Sequence, residues 1–223
     1  GELNEKQTYY LDRSFTSTNR LIKLVNSMLN ISRIESGRMA ISFKRGTVAS
    51  LIQTALDEIQ PKIVELGLVV VPRVGTGLPD VIADPDKIAE VLMNFIGNAM
   101  KFTPKGGTIT IQAIPEGSFI RISVTDTGVG IAKEDLSKLF TKFGALRSGS
   151  TPEAIAAQST GLGLYISKSI ITMHGGNVSA MSDGLGKGST FSFTLPVFSE
   201  EKIQALQGQY KTEGLGIIHN TIE

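Results

Sequence analysis

Residues 90–104 read EVLMNFIGNAMKFTP. Asn94, Asn98 and Lys101 interrupt an apolar pattern there, at spacings of four and then three. On a helix of 3.6 residues per turn the three fall on one face, stacked above one another. The amide oxygen of Asn98 can ligate Mg²⁺, a hard cation that usually takes few protein ligands and several phosphate or water oxygens. The Lys101 ammonium can neutralise phosphate charge. Asn94, one turn earlier, can orient a phosphate or a water. The alternative is that all three cap and hydrogen-bond neighbouring loops, but a single polar file on an otherwise apolar helix weighs against it.

Two glycine stretches can do related chemistry. DTGVGI, residues 126–131, follows a strand-like run directly. Two glycines separated by one residue let the backbone turn tightly and let a flat ligand approach. An aspartate at a strand end can accept a hydrogen bond from an exocyclic amine. A plain Asp-Gly turn is the competing reading. GLGL, residues 161–164, opens a helical pattern. Exposed N–H groups and the helix dipole favour an anion at such a start, although a simple glycine-rich connection would look the same. No GxxxxGK[ST] phosphate loop occurs in the chain.

These stretches need elements to hold them. Leu11, Phe15, Thr18, Ile22, Val25 and Leu29 form a heptad-like seam, and Leu21, Leu24, Met28 and Ile31 form a second stripe beside it. So wide an apolar arc on one helix calls for more than one neighbour, as in a bundle. Gly37 is a stop signal. Thr47 is placed to cap a helix reaching about Glu65. VIADP reads as a short strand, then Asp84 as N-cap and Pro85 at the first helical position. GTITIQAI and SFIRISVTD alternate apolar and polar residues around a Pro115–Ser118 turn, a hairpin pattern. GLGLYISKSIITMHGG reads as a helix, and NVSAMSD and STFSFTLPV as strands. EEKIQALQGQY is a short amphipathic helix before a weakly patterned tail. The antiparallel strand pairs with helices on one face give an expected fold class of α+β, a sandwich, preceded by the long bundle-type helix.

Composition excludes other chemistries. The 22 basic and 21 acidic residues leave a net charge of +1, too little for a global field toward nucleic acid or acidic membrane. There is no cysteine, so disulfides, thiol catalysis and cysteine metal sites are excluded, and His174 and His219 are the only histidines. No apolar run reaches membrane-spanning length.

In order, these stretches resemble the sensor histidine kinases of two-component systems, within the GHKL ATPase superfamily. The resemblance covers about residues 5–196: EVLMNFIGNAMKFTP is similar to the N box, DTGVGI to the G1 box, LFTKF to the F box and TGLGL to the G2 box, and GKGSTFSF to the last glycine segment. It implies a two-layer sandwich of a mixed, largely antiparallel sheet with helices on one face, preceded by a long helix of a dimerisation bundle, with ATP and Mg²⁺ as cofactors. Asp126 would bind the adenine amine, with Thr190 supporting the same edge. Asn98 would be the metal ligand, and Asn94 and Lys101 the catalytic residues facing the phosphates. Gly128 and Gly130 would admit the base. Gly161 and Gly163 would start the helix below the phosphates. Phe140 would anchor one end of a lid over 141–160, whose only arginine, Arg147, would reach the γ-phosphate. Phe102, Ile131, Thr160, Leu162 and Leu164 complete the implied nucleotide contacts. Hydrolytic superfamily members carry a glutamate general base where this chain has Asn94. An amide lacks that basicity, so the implied reaction is transfer to another nucleophile rather than to water.

The match departs from the family at the acceptor. The family's phosphoacceptor helix, with its His-Glu/Asp-x-x-Thr/Asn-Pro-like stretch, is absent, and residues 1–37 resemble only the second dimerisation helix, ending in LNISRIESG. His174 is expected to be structural, suited to a helix C-terminus, and His219 lies outside the match. Residues 38–198 would be the catalytic domain and 199–223 a helix and tail of unknown role. The expected partners are a phosphoacceptor helix upstream or in trans, a response-regulator receiver domain and a second copy through residues 8–32, without nucleic acid or membrane contact. The expected location is cytoplasmic, either free or as the cytoplasmic part of an anchored sensor. An ATP-sensing scaffold domain and a GHKL protein-serine kinase are the alternatives.

Overall fold

The computed structural model describes residues 1, 3–144 and 160–213, the last five of these as backbone only. Helix α1 spans Glu5–Glu35. Asn4 and Gln7 cap it reciprocally, each side chain accepting from the other's backbone N–H at 2.9–3.0 Å. Gly37 ends it in a left-handed conformation, as its sequence position suggests. No residue of α1 is fully buried.

The rest of the described chain forms one core between a sheet and a layer of helices. Strand β1 (Lys44–Gly46) pairs with β3 (Val81–Ala83) as a small separate ribbon. Helix α2 (Val48–Leu66) starts at Thr47, whose hydroxyl accepts from the Ser50 N–H, and ends at Gly67. Strand β2 (Val69–Val74) leads through β3 to helix α3 (Pro85–Phe102). Strands β4 (Thr108–Glu116) and β5 (Phe119–Asp126) follow as a hairpin. A single-turn helix α4 (Lys133–Leu136), helix α5 (Gly163–Met173), strands β6 (Val178–Met181) and β7 (Ser189–Pro196), and helix α6 (Glu200–Glu213) complete the order.

The five-stranded sheet runs β2-β4-β5-β7-β6, with β2 and β4 parallel and every other pair antiparallel. Strand alternation sorts the two faces. Ile109, Ile111, Ile120, Ile122, Val124, Phe191 and Phe193 turn inward against Phe95, Ile96 and Ile170 of the helices. On the other face a ladder of hydroxyls forms, with Thr125 bonded to Thr190 and Ser192 to Ser123, each at 3.0 Å. This is the expected α+β sandwich with a mixed sheet.

One local expectation changes, and two strands went unread. The hairpin turn is only Gly117–Ser118, because β4 continues through Pro115 and Glu116, opposite Ile120 and Phe119. Proline is tolerated there since β2 stops opposite Ala113, so no second strand asks for the missing N–H. The strand VVVPRV (β2) and the ribbon strand β1 carried no clear alternation or turn signal. They exist through pairing with β4 and β3.

Helix α1 divides its two stripes. Leu24 and Ile31 pack against the core with Ile34. Leu11, Phe15, Ile22, Val25 and Leu29, and with them Leu21 and Met28 of the second stripe, stay 46–70 % exposed. The start of α6 closes the far end, with Ile203 buried and the Lys202 ammonium donating to the Ser118 carbonyl at 3.0 Å.

Candidate functional site

Helix α3 is fixed at its N-terminus before it presents anything. Asp84 Oδ1 accepts from the N–H groups of Asp86 and Lys87, and Oδ2 from Ser42 N–H at 2.7 Å. The Asp84 N–H donates to Nε2 of His174, the residue that ends α5, at 2.9 Å. His174 Nδ1 lies 2.8 Å from the Ile170 carbonyl. That carbonyl can only accept, so Nδ1 holds the proton and Nε2 is free to accept from Asp84. The imidazole has no exposed surface, and burial pushes its pKa below the ordinary value. His174 is therefore a neutral tie between α5 and α3. It is structural, as expected, but not through a charge at the helix end.

With both helices set, Ile88, Val91, Leu92, Phe95, Ile96 and Ala99 face the core. Asn94, Asn98 and Lys101 line a cavity of about 490 Å³ on the opposite side. Asn94 Nδ2 donates to the Ser167 hydroxyl of α5 at 2.9 Å. Its Oδ1 sits where a Cβ on Gly163 would have to go. A side chain at the start of α5 would therefore have to displace the Asn94 amide. Burial lowers the Lys101 pKa, and the nearby charge of Arg20 pushes it the same way. Its ammonium lies 5.5 Å from the Phe102 ring centre.

The residues expected on the adenine side arrive from the sheet. Asp126 ends β5 opposite Ser189 of β7. Its Oδ1 accepts from Gly128 N–H at 2.8 Å and its Oδ2 from the Ser189 hydroxyl at 2.5 Å. Asp126 is only 4 % exposed, so it stands behind the cavity wall that Ser189 and Gly130 form. Gly128 is packed so that a Cβ would collide with the Phe102 carbonyl. The expectation that Thr190 supports the same adenine edge as Asp126 is corrected here. Register places Thr190 beside Thr125 on the opposite sheet face, and the support comes from Ser189, one residue earlier. Strand alternation carried that signal, since the inward neighbour of Asp126 is whichever residue pairs with it across the ladder.

The other expected contacts divide. Phe102, Gly130, Ile131, Thr160, Gly161, Gly163 and Leu164 line the cavity with the α3 file. Leu162 has no exposed surface and caps α5 from within the core. Phe140 packs edge-on against Phe191, ring centres 6.3 Å apart, at the start of the expected lid. Arg147, most of that lid and His219 lie outside the described residues. The sequence reading missed one wall entirely. Lys23, Asn26, Ser27 and Asn30 of α1 line the cavity across from α3. Asn30 Nδ2 donates to Glu90 Oε1 at 3.2 Å, and Glu35 accepts from the Lys142 ammonium in an ion pair. That hydrogen bond and the pull of Glu35 raise the Lys142 pKa. Among the described residues no group of three or more His, Cys, Asp or Glu could hold a metal. None of the described helices is long and apolar enough to cross a membrane.

This arrangement has known counterparts. Residues 83–199, over half the chain, match the histidine kinase-, DNA gyrase B- and HSP90-like ATPase family, and the chain belongs to that family. Several of its relatives are named as histidine kinases or sensory kinases. It is 39 % identical over 196 residues to the non-motile and phage-resistance protein of Caulobacter vibrioides, covering 84 % of this chain and 22 % of that one. It is 32 % identical over 200 residues to the circadian input-output histidine kinase CikA of Synechococcus elongatus, covering 88 % and 26 %. The chain therefore spans about a quarter of the length of these two relatives. The nucleotide-free catalytic domain of histidine kinase ThkA superposes with a TM-score of 0.59 at 27 % identity, covering 73 % of this chain and 99 % of that one. The same kinase in complex with response regulator protein TrrA shares the fold, with a TM-score of 0.71 at 24 % identity over 89 % of this chain and 53 % of that one.

Proposed function

We propose that this chain is the ATP-binding catalytic module of a sensor histidine kinase, joined to the second helix of its dimerisation region. It transfers the γ-phosphoryl of Mg-ATP to a histidine on a separate dimerisation helix, and a response-regulator receiver domain takes the phosphoryl next. The observation that carries this reading is one cavity lined both by the Asn94, Asn98 and Lys101 file and by glycines of two turns, Gly130 and Gly161 with Gly163. In this scheme residues 1–37 are the dimerisation helix, 38–198 the catalytic domain and 199–223 an appendage.

Adenine would lie against Gly130 and Ile131, with its amine reached through the Asp126–Ser189 pair. Lys101 would meet the phosphates. Bound Mg²⁺ would neutralise phosphate charge and orient its oxygens, with the Asn98 amide as a protein ligand. That fits a wall rich in amides and poor in carboxylate clusters. Asn94 cannot take a proton from water, so hydrolysis would have no base there. Catalysis would be positioning and charge neutralisation.

His174 does not fit the acceptor role, because it is fully buried and both ring nitrogens are engaged. The exposed seam on α1 supports pairing with another helix of the same kind, and the module would act on the cytoplasmic side. The test is to incubate the chain with radiolabelled ATP and a polypeptide carrying a histidine-bearing dimerisation helix. Acid-labile label on that histidine is the expected result. Nucleotide binding without any labelling would instead favour an ATP-sensing scaffold.

A further inference from the structure

We infer that Lys23, on helix α1, is a phosphate-facing residue that sets the preference of this cavity for longer polyphosphate chains, so that α1 forms part of the nucleotide site. The inference rests on the nucleotide reading above and adds a wall to it.

Lys23, Asn26, Ser27 and Asn30 follow one another at helical spacing, so they share one side of α1. That side lines the same cavity as Asn94, Asn98 and Lys101. Two polar files, on α1 and α3, therefore face each other across the cavity. The α1 file is held in place by the Asn30–Glu90 hydrogen bond, by the Glu35–Lys142 ion pair and by Leu24, Ile31 and Ile34 against the core.

The charges are arranged for an anion. Arg20, close enough for Lys101 to feel its charge, sits one turn before Lys23 and Leu24 on the same helix. The cavity wall also carries the carboxylates Glu90 and Asp135. Each has a lysine of its own, Lys87 at 3.6 Å from Glu90 and Lys138 at 3.1 Å from Asp135. Lys23 and Lys101 line the same cavity and Arg20 lies close enough for Lys101 to feel it, so like charges repel there. A polyphosphate turns that repulsion into attraction, and the gain grows with each phosphate. Adenosine, which has none, gains nothing.

The experiment compares calorimetric affinities for adenosine, ADP and a non-hydrolysable ATP analogue, all with Mg²⁺. Wild type, Lys23→Gln, Lys23→Arg and, as a control remote from the cavity, Lys6→Gln are measured. Lys23→Gln should weaken the triphosphate analogue by about threefold to tenfold, ADP by less, and adenosine not at all. Lys23→Arg should restore most of the loss, and Lys6→Gln should match wild type. Equal weakening of all three ligands would mean that Lys23 only supports the fold, and no weakening would remove it from the site. Either result overturns the inference while leaving the nucleotide reading intact. Wild type binding none of the three would overturn both.

Discussion

The hydroxyl of Ser189 donates to Oδ2 of Asp126 at 2.5 Å, across the β5–β7 ladder and behind the cavity wall. The other carboxylate oxygen takes the Gly128 N–H. Asp126 is thereby locked in one rotamer, with one acceptor tied to the turn and the other to the neighbouring strand.

This pair gives the first prediction. Asp126→Asn keeps the shape but removes the charge that strengthens both bonds, and it should weaken ATP binding by about tenfold to a hundredfold. Ser189→Ala should weaken it less, and Thr190→Ala should have little effect because its hydroxyl lies on the other face. Calorimetry beside circular dichroism of the folded variants checks the order. An unchanged affinity for Asp126→Asn would remove the residue from the nucleotide pocket.

Asn98 is tested through the metal. Asn98→Ala should cost about tenfold or more in ATP affinity with Mg²⁺ present and little with the metal chelated. The ratio of the two dissociation constants is the readout, and equal losses under both conditions would argue against metal ligation.

The α3–α5 contact is tight at Gly163. Gly163→Ala puts a Cβ into the Asn94 amide oxygen and pushes Asn94 away from Ser167. A destabilisation of about 1–3 kcal/mol is expected, together with loss of nucleotide binding. Thermal unfolding measures the first, and a binding isotherm on the folded fraction measures the second. Wild-type stability in this variant would show that the two helices separate easily.

His174 predicts a pH dependence. Its folded pKa lies below the ordinary imidazole value of about 6.5. The unfolded chain therefore takes up a proton before the folded one does. Stability is full above that ordinary value and is lost progressively as pH falls through it toward the folded pKa. Unfolding midpoints between pH 8 and 5 should show this slope. His174→Leu should flatten it and lower stability at pH 8 by about 1–3 kcal/mol, because the Asp84 N–H loses its acceptor. A slope retained in the variant would assign the titration to another group.

Much of this protein was written locally. Thr47, Asp84 with Pro85, and Gly37 announced helix ends because side-chain capping, a fixed proline φ and a left-handed glycine are short-range effects. The α3 file followed from helical spacing alone, and the hairpin from strand alternation. The Thr190 misreading shows the limit of that approach. Which hydroxyl supports Asp126 depends on the pairing of strands sixty residues apart, and a shift of one residue changes the face.

What the sequence determined by itself is the set of chemical parts and their order: a polar file on an apolar helix and glycine turns beside it. These are properties of residue type and of the 3.6-residue and two-residue periods, which need no distant partner. What only the tertiary structure decided is which parts meet. It placed Ser189 rather than Thr190 beside Asp126, made His174 a neutral tie, and laid the polar side of α1 over the cavity. Each depends on contacts between segments far apart in the chain, and such contacts are selected by the packing of the whole core.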